Sequence, residues 1–260
     1  MRSMWTGAIS FGMVAIPVSM YKATETKGIS FNLLCPRDGA KLKQKRWCPT
    51  EDCEVPWSDT ARGYEVAKNE YVRIEDAELE AMPLGTQSQV EILAFVGETE
   101  VNASVFIEEA YYLEPSKVGI KPFALLRRGL LDTHRVAIAK VAMRSRERLC
   151  RIAVQGPGLV LNTLHWPDEI RDQGDLTLPA DDAGLSGGEV EMAHQLIENL
   201  TVPFDPAAYK DGYRDAVMAL VDAKVNNQPA PTAPTAEAAP VVDLMAALKA
   251  SVKATAKPTP

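Results

Sequence analysis

The chain has 260 residues, is 46% hydrophobic and carries a formal net charge of −7, so it can bury a core in one large domain with a small appendage. No apolar run approaches the roughly 20 residues that span a bilayer, and four cysteines in a chain of this size do not suggest a disulfide scaffold. Pro17 and the strand-like stretch 12–21 favour a folded N-terminus over a cleaved signal peptide. We therefore expect a cytoplasmic protein without a membrane partner.

The first part of the chain predicts strands. Residues 5–11 and 14–23 have the composition of two short strands separated by a glycine. Farther on, Lys41, Lys43 and Lys45 occupy every second position. In an extended strand this spacing would place three ammonium groups on one side, and Arg46 would add to the cluster.

An acidic region follows. Between Glu51 and Glu114 there are sixteen acidic and only three basic side chains. Residues 71–74 predict a strand that leads into a short acidic helix, and residues 89–97 and 105–113 predict two further strands.

Residues 117–151 have the opposite charge, with ten basic and two acidic side chains. Phe123, Leu126 and Leu130 recur at helical spacing, and the alternation after residue 135 predicts strands that would hold the arginines in a rigid array. A charge run is often only a solvated surface, but a polyanion such as nucleic acid is the partner that this local field would select.

Strands predominate up to about residue 166, which favours a sheet or barrel, and helices follow. Ser186 and Glu189 form a possible capping box for a first helix. Its apolar face is predicted from four residues: Val190, Ala193, Ile197 and Leu200. Asp205 as N-cap, with Pro206 at the first helical position, predicts a second helix that runs to about residue 225. The two helices would form an arm that serves oligomerisation or packs back on its own domain.

The C-terminal part predicts a tether and a short helix. Residues 226–240 are rich in Pro and Ala and should be disordered and extended. One side of the helix after them carries an apolar stripe of five residues: Val241, Leu244, Met245, Leu248 and Val252. A helix this short is marginal alone in water, so we expect the stripe to bind a groove of a partner protein or to dock on its own domain.

Several segments together resemble the Ku proteins of bacteria and phages. In chain order they are MRSMWTGAISFGMVAIPVSMYKATE, KGISFN, KLKQKRWC, RGYEVAKNEYV, YYLEP, RVAIAKVAMRSRERL, LHWPDEIRD and PVVDLMAALK. The resemblance implies a mainly β fold with α-helices, in which a β-barrel core is followed by a helical arm and a disordered tail. Two copies of the chain would form a homodimer that closes a ring.

The resemblance also implies a function in non-homologous end joining. The ring would thread onto the ends of double-stranded DNA, protect and bridge them, and recruit and stimulate the repair ligase, ligase D. Such a protein is not an enzyme, and it would act at the nucleoid. Its DNA-binding core would span residues 1–172, the arm 173–225, the linker 226–240, and the ligase-recruiting helix with its basic tail 241–260.

A ring that accepts any break needs no base readout, so its Lys and Arg side chains should meet phosphates. We predict eight DNA contacts: Lys41, Lys43, Lys45, Arg46, Arg127, Arg128, Arg144 and Arg146. In the tail, four residues are predicted to bind the ligase: Val241, Leu244, Met245 and Leu248.

Three cysteines lie close together in a region where some Ku proteins carry a tighter CxxC pair. Structural zinc needs four donors and favours short Cys spacings. Cys35, Cys48 and Cys53, with Asp38 as a fourth donor, form a possible zinc site, and the alternative is a loop of unliganded cysteines. Cys150 is expected in the core.

Two other functions remain open. One is a protein-interaction barrel whose basic face binds an acidic or phosphorylated partner. The other is a nucleic-acid-processing enzyme with active-site acids between Glu51 and Glu114. The sequence has no HExxH or Walker-type phosphate loop, and GLSGGE at residues 184–189 fits a turn into a capped helix better than a catalytic motif, so the sequence gives little support to catalysis.

Overall fold

The computed structural model of the protein describes residues 1–82, 88–101, 104–143, 146–180, 184–229 and 244–255. The chain divides into two compact units, residues 1–172 and 173–260. Within the described ranges, no helix has the length and apolarity needed to cross a membrane.

Seven strands of the first unit close into a β-barrel, in the order β1–β2–β8–β11–β10–β9–β7. Their bounds are β1 Trp5–Phe11, β2 Val14–Lys22, β7 Gln89–Gly97, β8 Ile107–Pro115, β9 Arg135–Met143, β10 Arg146–Gln155 and β11 Gly158–Leu164. Neighbouring strands are antiparallel except β1 and β7, which run parallel and close the barrel. The predicted barrel is therefore confirmed.

The hydrophobic core fills the barrel interior, because alternate side chains of each strand point inward. Ile9, Ile152 and Leu161 are fully buried there, as is Cys150. Burial of one large aliphatic side chain contributes about 1.5–3 kcal/mol, so this interior is the main source of stability of the first unit.

Helix α2 (Ile120–Thr133) packs against β2, β9 and β10. Phe123, Leu126 and Leu130 are buried and belong to the core, which confirms the helix predicted from their spacing. The helix ends at His134, whose backbone adopts the left-handed conformation with φ of 50°.

Between β2 and β7 lies a segment that contributes no strand to the barrel. We call residues 23–82 the outer segment. It contains two small hairpins and a short helix: β3 Trp47–Cys48 with β4 Cys53–Glu54, β5 Arg62–Ala67 with β6 Glu70–Ile74, and α1 Asp76–Glu80. The predicted strand and acidic helix near residue 75 are confirmed.

The strand predicted for Lys41 to Lys45 is wrong. The backbone turns back on itself at residues 35–40, just before these lysines, where the N–H of Cys35 donates to the carbonyl of Ala40 at 2.8 Å. Strand pairing at this turn is a single bridge between Leu34 and Lys41, and β3 begins only at Trp47. The three lysines therefore lack the neighbouring strand that would fix them on one side.

The second unit contains α3 (Gly187–Leu200), α4 (Gly212–Val225) and α5 (Leu244–Thr255). The capping box of α3 is confirmed: the Ser186 N–H donates to Glu189 Oε2 at 2.7 Å, and the Glu189 N–H donates to Ser186 Oγ at 3.4 Å. The Ser186 hydroxyl also donates to Glu189 Oε2 at 2.7 Å, and this bond first, then the bond from the Ser186 N–H, lowers the pKa of Glu189. Helix α5 packs against α3.

One prediction for these helices is wrong in detail. Asp205 caps only a 3-10 helix of three residues, and α4 begins at Gly212 with Asp211 as its N-cap, because the backbone is extended again at Tyr209. The four residues predicted for one face of α3 all lie in that helix, but Val190, Ile197 and Leu200 are exposed. The half-buried residues of α3 are Glu189, Met192, Ala193, Leu196 and Asn199.

Candidate nucleic-acid interface

The outer segment carries the cations that are most available to an anion. Lys41 and Lys43 are exposed and make no hydrogen bond or ion pair with any residue that the structure describes. Arg46 stacks over Trp57, with its guanidinium carbon 4.2 Å from the ring centroid, and the stack leaves the N–H edge free to donate. Lys45 is partly neutralised, because its Nζ lies 2.5 Å from Glu54 Oε2.

The two predicted arginines of α2 already have partners. Arg127 Nη2 donates to the carbonyl of Gly156 at 2.6 Å, which ties the helix to the turn between β10 and β11. Arg128 Nε donates to Asp132 Oδ2 at 2.7 Å, and this hydrogen bond raises the pKa of Arg128. The charge of Arg128 is therefore partly matched by a carboxylate, whereas Arg127 keeps its charge but has one donor occupied.

The other two predicted contacts belong to the start of β10. Arg144 lies outside the described residues. Arg146 is exposed and lines a polar cavity of about 210 Å³ together with Glu108, Arg148 and Trp166. Carboxylates share this cavity, so it is not a purely cationic site.

Helix α2 and strands β9 and β10 carry most of the basic side chains of residues 117–151. Carboxylates on the strands neutralise some of these charges. Lys140 pairs with Glu147 at 3.0 Å, and Arg148 pairs with Glu108, whose hydrogen bond raises the pKa of Arg148. Arg151 donates to Asn162 Oδ1 at 3.2 Å. Three basic side chains of this region, Arg128, Lys140 and Arg148, are therefore ion-paired, whereas four others are exposed: Lys117, Lys121, Arg135 and Arg146.

The predicted zinc ligands converge only in part. Cys48 and Cys53 are cross-strand partners in the β3–β4 hairpin, whereas Cys35 lies in the turn before it. Among the residues that the structure describes, no three His, Cys, Asp or Glu side chains are grouped so that they could hold a metal ion. A zinc site with Cys35 and Asp38 therefore does not fit this geometry. Zinc binding stays a prediction, which metal analysis of protein purified without added zinc would check.

The predicted ligase-binding residues are divided between described and undescribed parts of the tail. Val241 lies outside the described residues, and Leu244 and Met245 lie in α5. Leu248 is half-buried in the same helix.

Comparison with known proteins decides the family. A family model described as the Ku70/Ku80 beta-barrel domain matches residues 10–192. The chain belongs to the Ku family. This confirms the resemblance found in the sequence, and the match includes the barrel from the end of β1 onward, the outer segment and all eight predicted DNA contacts.

Three similar Ku relatives come from Symbiobacterium thermophilum, Frankia casuarinae and Heliobacterium modesticaldum. They are 41%, 39% and 40% identical to this chain over 256, 255 and 254 residues, and each is named "Non-homologous end joining protein Ku". The alignments cover 98%, 98% and 97% of this chain. The chain spans 63% and 64% of the length of the first two relatives and 91% of the third.

The sequence reasoning missed the apolar surface of the outer segment of this Ku chain. All six residues of β5 are exposed, and Tyr64 faces Val72 across the hairpin, with 66% and 52% of their surface accessible. Trp57 is 73% exposed. Aromatic residues in an otherwise acidic segment were the available signal, because a protein rarely leaves so many of them in water without a partner.

Proposed function

We propose that this chain binds the ends of double-stranded DNA in non-homologous end joining, that it does so as a homodimeric ring, and that it protects and bridges the ends without being an enzyme. The observation that carries the proposal is membership of the Ku family, in which the similar relatives are named as end-joining proteins. Membership also supports the prediction that the chain has no catalytic activity.

The chemistry of the outer segment supports phosphate binding. Lys41 and Lys43 are exposed and unpaired among the described residues, and the Arg46 guanidinium presents free donors. Phosphate contacts carry no sequence information, so binding should be independent of DNA sequence. Its affinity should fall with salt, with a log–log slope of about −0.9 for each phosphate neutralised.

The β5–β6 hairpin supports a second copy of the chain as the dimer partner. A two-stranded hairpin is marginally stable alone in water, and this one leaves Tyr64, Tyr71 and Val72 exposed. A second copy that covers these side chains would stabilise the hairpin and close the ring around DNA.

A gel-shift comparison of linear and covalently closed circular DNA tests the proposal. A ring that must thread from an end binds the linear form only. Equal binding of both forms would contradict threading and indicate an open basic face. Binding of neither form, together with capture of an acidic or phosphorylated protein, would favour the protein-interaction barrel. Shortening of the DNA with Mg²⁺ present would indicate a nucleic-acid-processing enzyme.

The tail is proposed to recruit and stimulate ligase D. Its apolar stripe with Leu248 supports this role, because an amphipathic helix binds a groove through residues spaced along one face. Truncation before Val241 should leave end binding intact and reduce stimulation of the ligase in a joining assay. Equal loss of both activities would contradict this division between core and tail.

A further inference from the structure

Helices α3 and α5 contact each other in the second unit, and each has one half-buried stripe. On α5, Leu248, Val252 and Thr255 are half-buried, whereas Lys249 and Lys253 are exposed. On α3 the half-buried residues are Glu189, Met192, Ala193, Leu196 and Asn199. Since residues three and four apart share one helix face, both stripes are continuous, and we infer that the contact between the helices pairs them.

We propose that α3 carries a docking site for the tail helix α5, and that docking there competes with binding of α5 to the ligase. This inference rests on the proposed ligase recruitment by the tail. The competition follows from Leu248, which belongs to the apolar stripe predicted to bind the ligase and is half-buried in the helix that packs against α3. One side chain cannot fill both sites at once.

The contact between α5 and α3 can be replaced by a contact between α5 and a partner protein. A helix of 12 residues is marginal in water on its own, so contact with α3 stabilises its fold. The covalent link to α4 keeps α5 at an effective concentration on the order of millimolar, if the linker is as flexible as its composition predicts. The stripe is only half-buried, so a deeper groove on another protein can displace α3.

Docking therefore sets the apparent affinity of the tail for the ligase. The apparent dissociation constant equals the intrinsic one divided by the fraction of undocked tail. If α5 is docked in nine molecules of ten, loss of the α3 site should tighten ligase binding about tenfold.

Leu196→Ala in the full chain tests the docking site, with Ile197→Ala as its matched control. Both changes shorten a neighbouring aliphatic residue on α3, but Leu196 is half-buried and Ile197 is 64% exposed. Alanine is the best helix former, so α3 itself persists. Hydrogen exchange of the α5 amides should become about tenfold faster in Leu196→Ala and stay unchanged in Ile197→Ala. Equal exchange in both variants and the parent chain would overturn the docking.

Binding of purified ligase D to the same full-length chains tests the competition. Leu196→Ala should bind it about tenfold more tightly than the parent chain, and Ile197→Ala should bind it equally. If exchange shows that α5 is released while ligase affinity stays the same, the competition is refuted although recruitment by the tail stands. If the ligase binds none of the chains, the proposed recruitment fails, and hydrogen exchange still decides whether α5 docks on α3.

A second variant guards against a change in α3 itself. Val252→Ala alters the other side of the contact, with Ser251→Ala as its exposed control. Release of α5 from an intact α3 should speed exchange of the α5 amides in Val252→Ala only. Concentration-dependent protection of α5 would instead show that the tail helix docks on α3 of a second copy, which would overturn docking within one chain.

Discussion

The barrel and the outer segment belong to one compact unit, yet they differ in how far their side chains are buried. The barrel closes its hydrogen-bonding edges and buries Ile9, Ile152 and Leu161 completely. None of the described side chains of the outer segment is buried, although aromatic residues are frequent there. The barrel therefore covers its own apolar side chains, whereas the outer segment leaves exposed the surface that the proposed DNA and second copy would cover.

The reactivity of cysteines should separate the two regions most strongly. Burial raises the pKa of the Cys150 thiol to about 12, and the thiolate is the reactive form. Cys35, Cys48 and Cys53 are only half-buried. With a chromogenic thiol reagent and EDTA, three thiols should react at once and the fourth at least about a hundredfold more slowly. Four equal rates would show that the barrel opens easily.

Truncation of a core side chain should have the next largest effect. Leu161→Ala removes a fully buried side chain and should lower the free energy of unfolding by about 2–5 kcal/mol. Leu33→Ala, at a residue that is 66% exposed in the outer segment, should change it by less than about 0.5 kcal/mol. Urea denaturation at low protein concentration measures both. Similar losses would refute the contrast.

Charge reversal in the outer segment should weaken DNA binding without affecting the fold. Lys43→Glu with Arg46→Glu should reduce affinity by roughly 10- to 100-fold, and equally for unrelated sequences, because phosphate contacts are lost. The control is Lys27→Glu with Arg62→Glu, a double change that alters the net charge by the same amount. Lys27 and Arg62 already lie beside Glu25 and Asp76. If both pairs weaken binding equally, net charge rather than position determines affinity.

A small effect of pH should trace to the barrel surface. Lys22 first, and then Tyr111, hold the pKa of Glu109 below its usual value. The carboxylate therefore stabilises the folded state above its unfolded pKa of about 4.3, and this contribution is lost as pH falls through the folded value. Because the pair is more than a third exposed, the effect should stay below about 1 kcal/mol.

Unfolding measured from pH 7 down to pH 3 tests this assignment. The stability difference between the parent chain and Glu109→Gln should shrink as the solution becomes acidic. Lys22→Met should remove more of the pH dependence than Tyr111→Phe. A difference that is constant across the range would exclude Glu109 as its source.

Local patterns were enough to predict the elements that alternate or repeat regularly. The strands around Ile9, Ile152 and Leu161 and the helix through Leu126 follow from apolar spacing alone. The order of the strands around the barrel does not, because it depends on pairings such as Ile9 with Val90, which are distant in the chain. The family resemblance supplied the barrel before any coordinates did.

The candidate site was less predictable, because the partners that occupy a charged side chain are distant in the sequence and close only in the folded chain. Arg148 meets Glu108, which lies 40 residues earlier, and Arg127 meets a backbone carbonyl of a distant turn. The regular spacing of Lys41, Lys43 and Lys45 suggested a strand, but a strand needs a neighbour, and a local turn removed it. Lys41 and Lys43 of the outer segment and Arg146 at the start of β10 kept the exposure that the sequence suggested.

The parallel pairing of β1 with β7 has a consequence for how the molecule tolerates change. The barrel seam joins Ile9 to Val90, and β2 pairs with the other edge of β1, so the outer segment is a loop that connects the two strands flanking β1. Doubling the length of such a loop costs only about 0.6 kcal/mol in closure entropy. The barrel can therefore keep its architecture while the length or the sequence of this region changes.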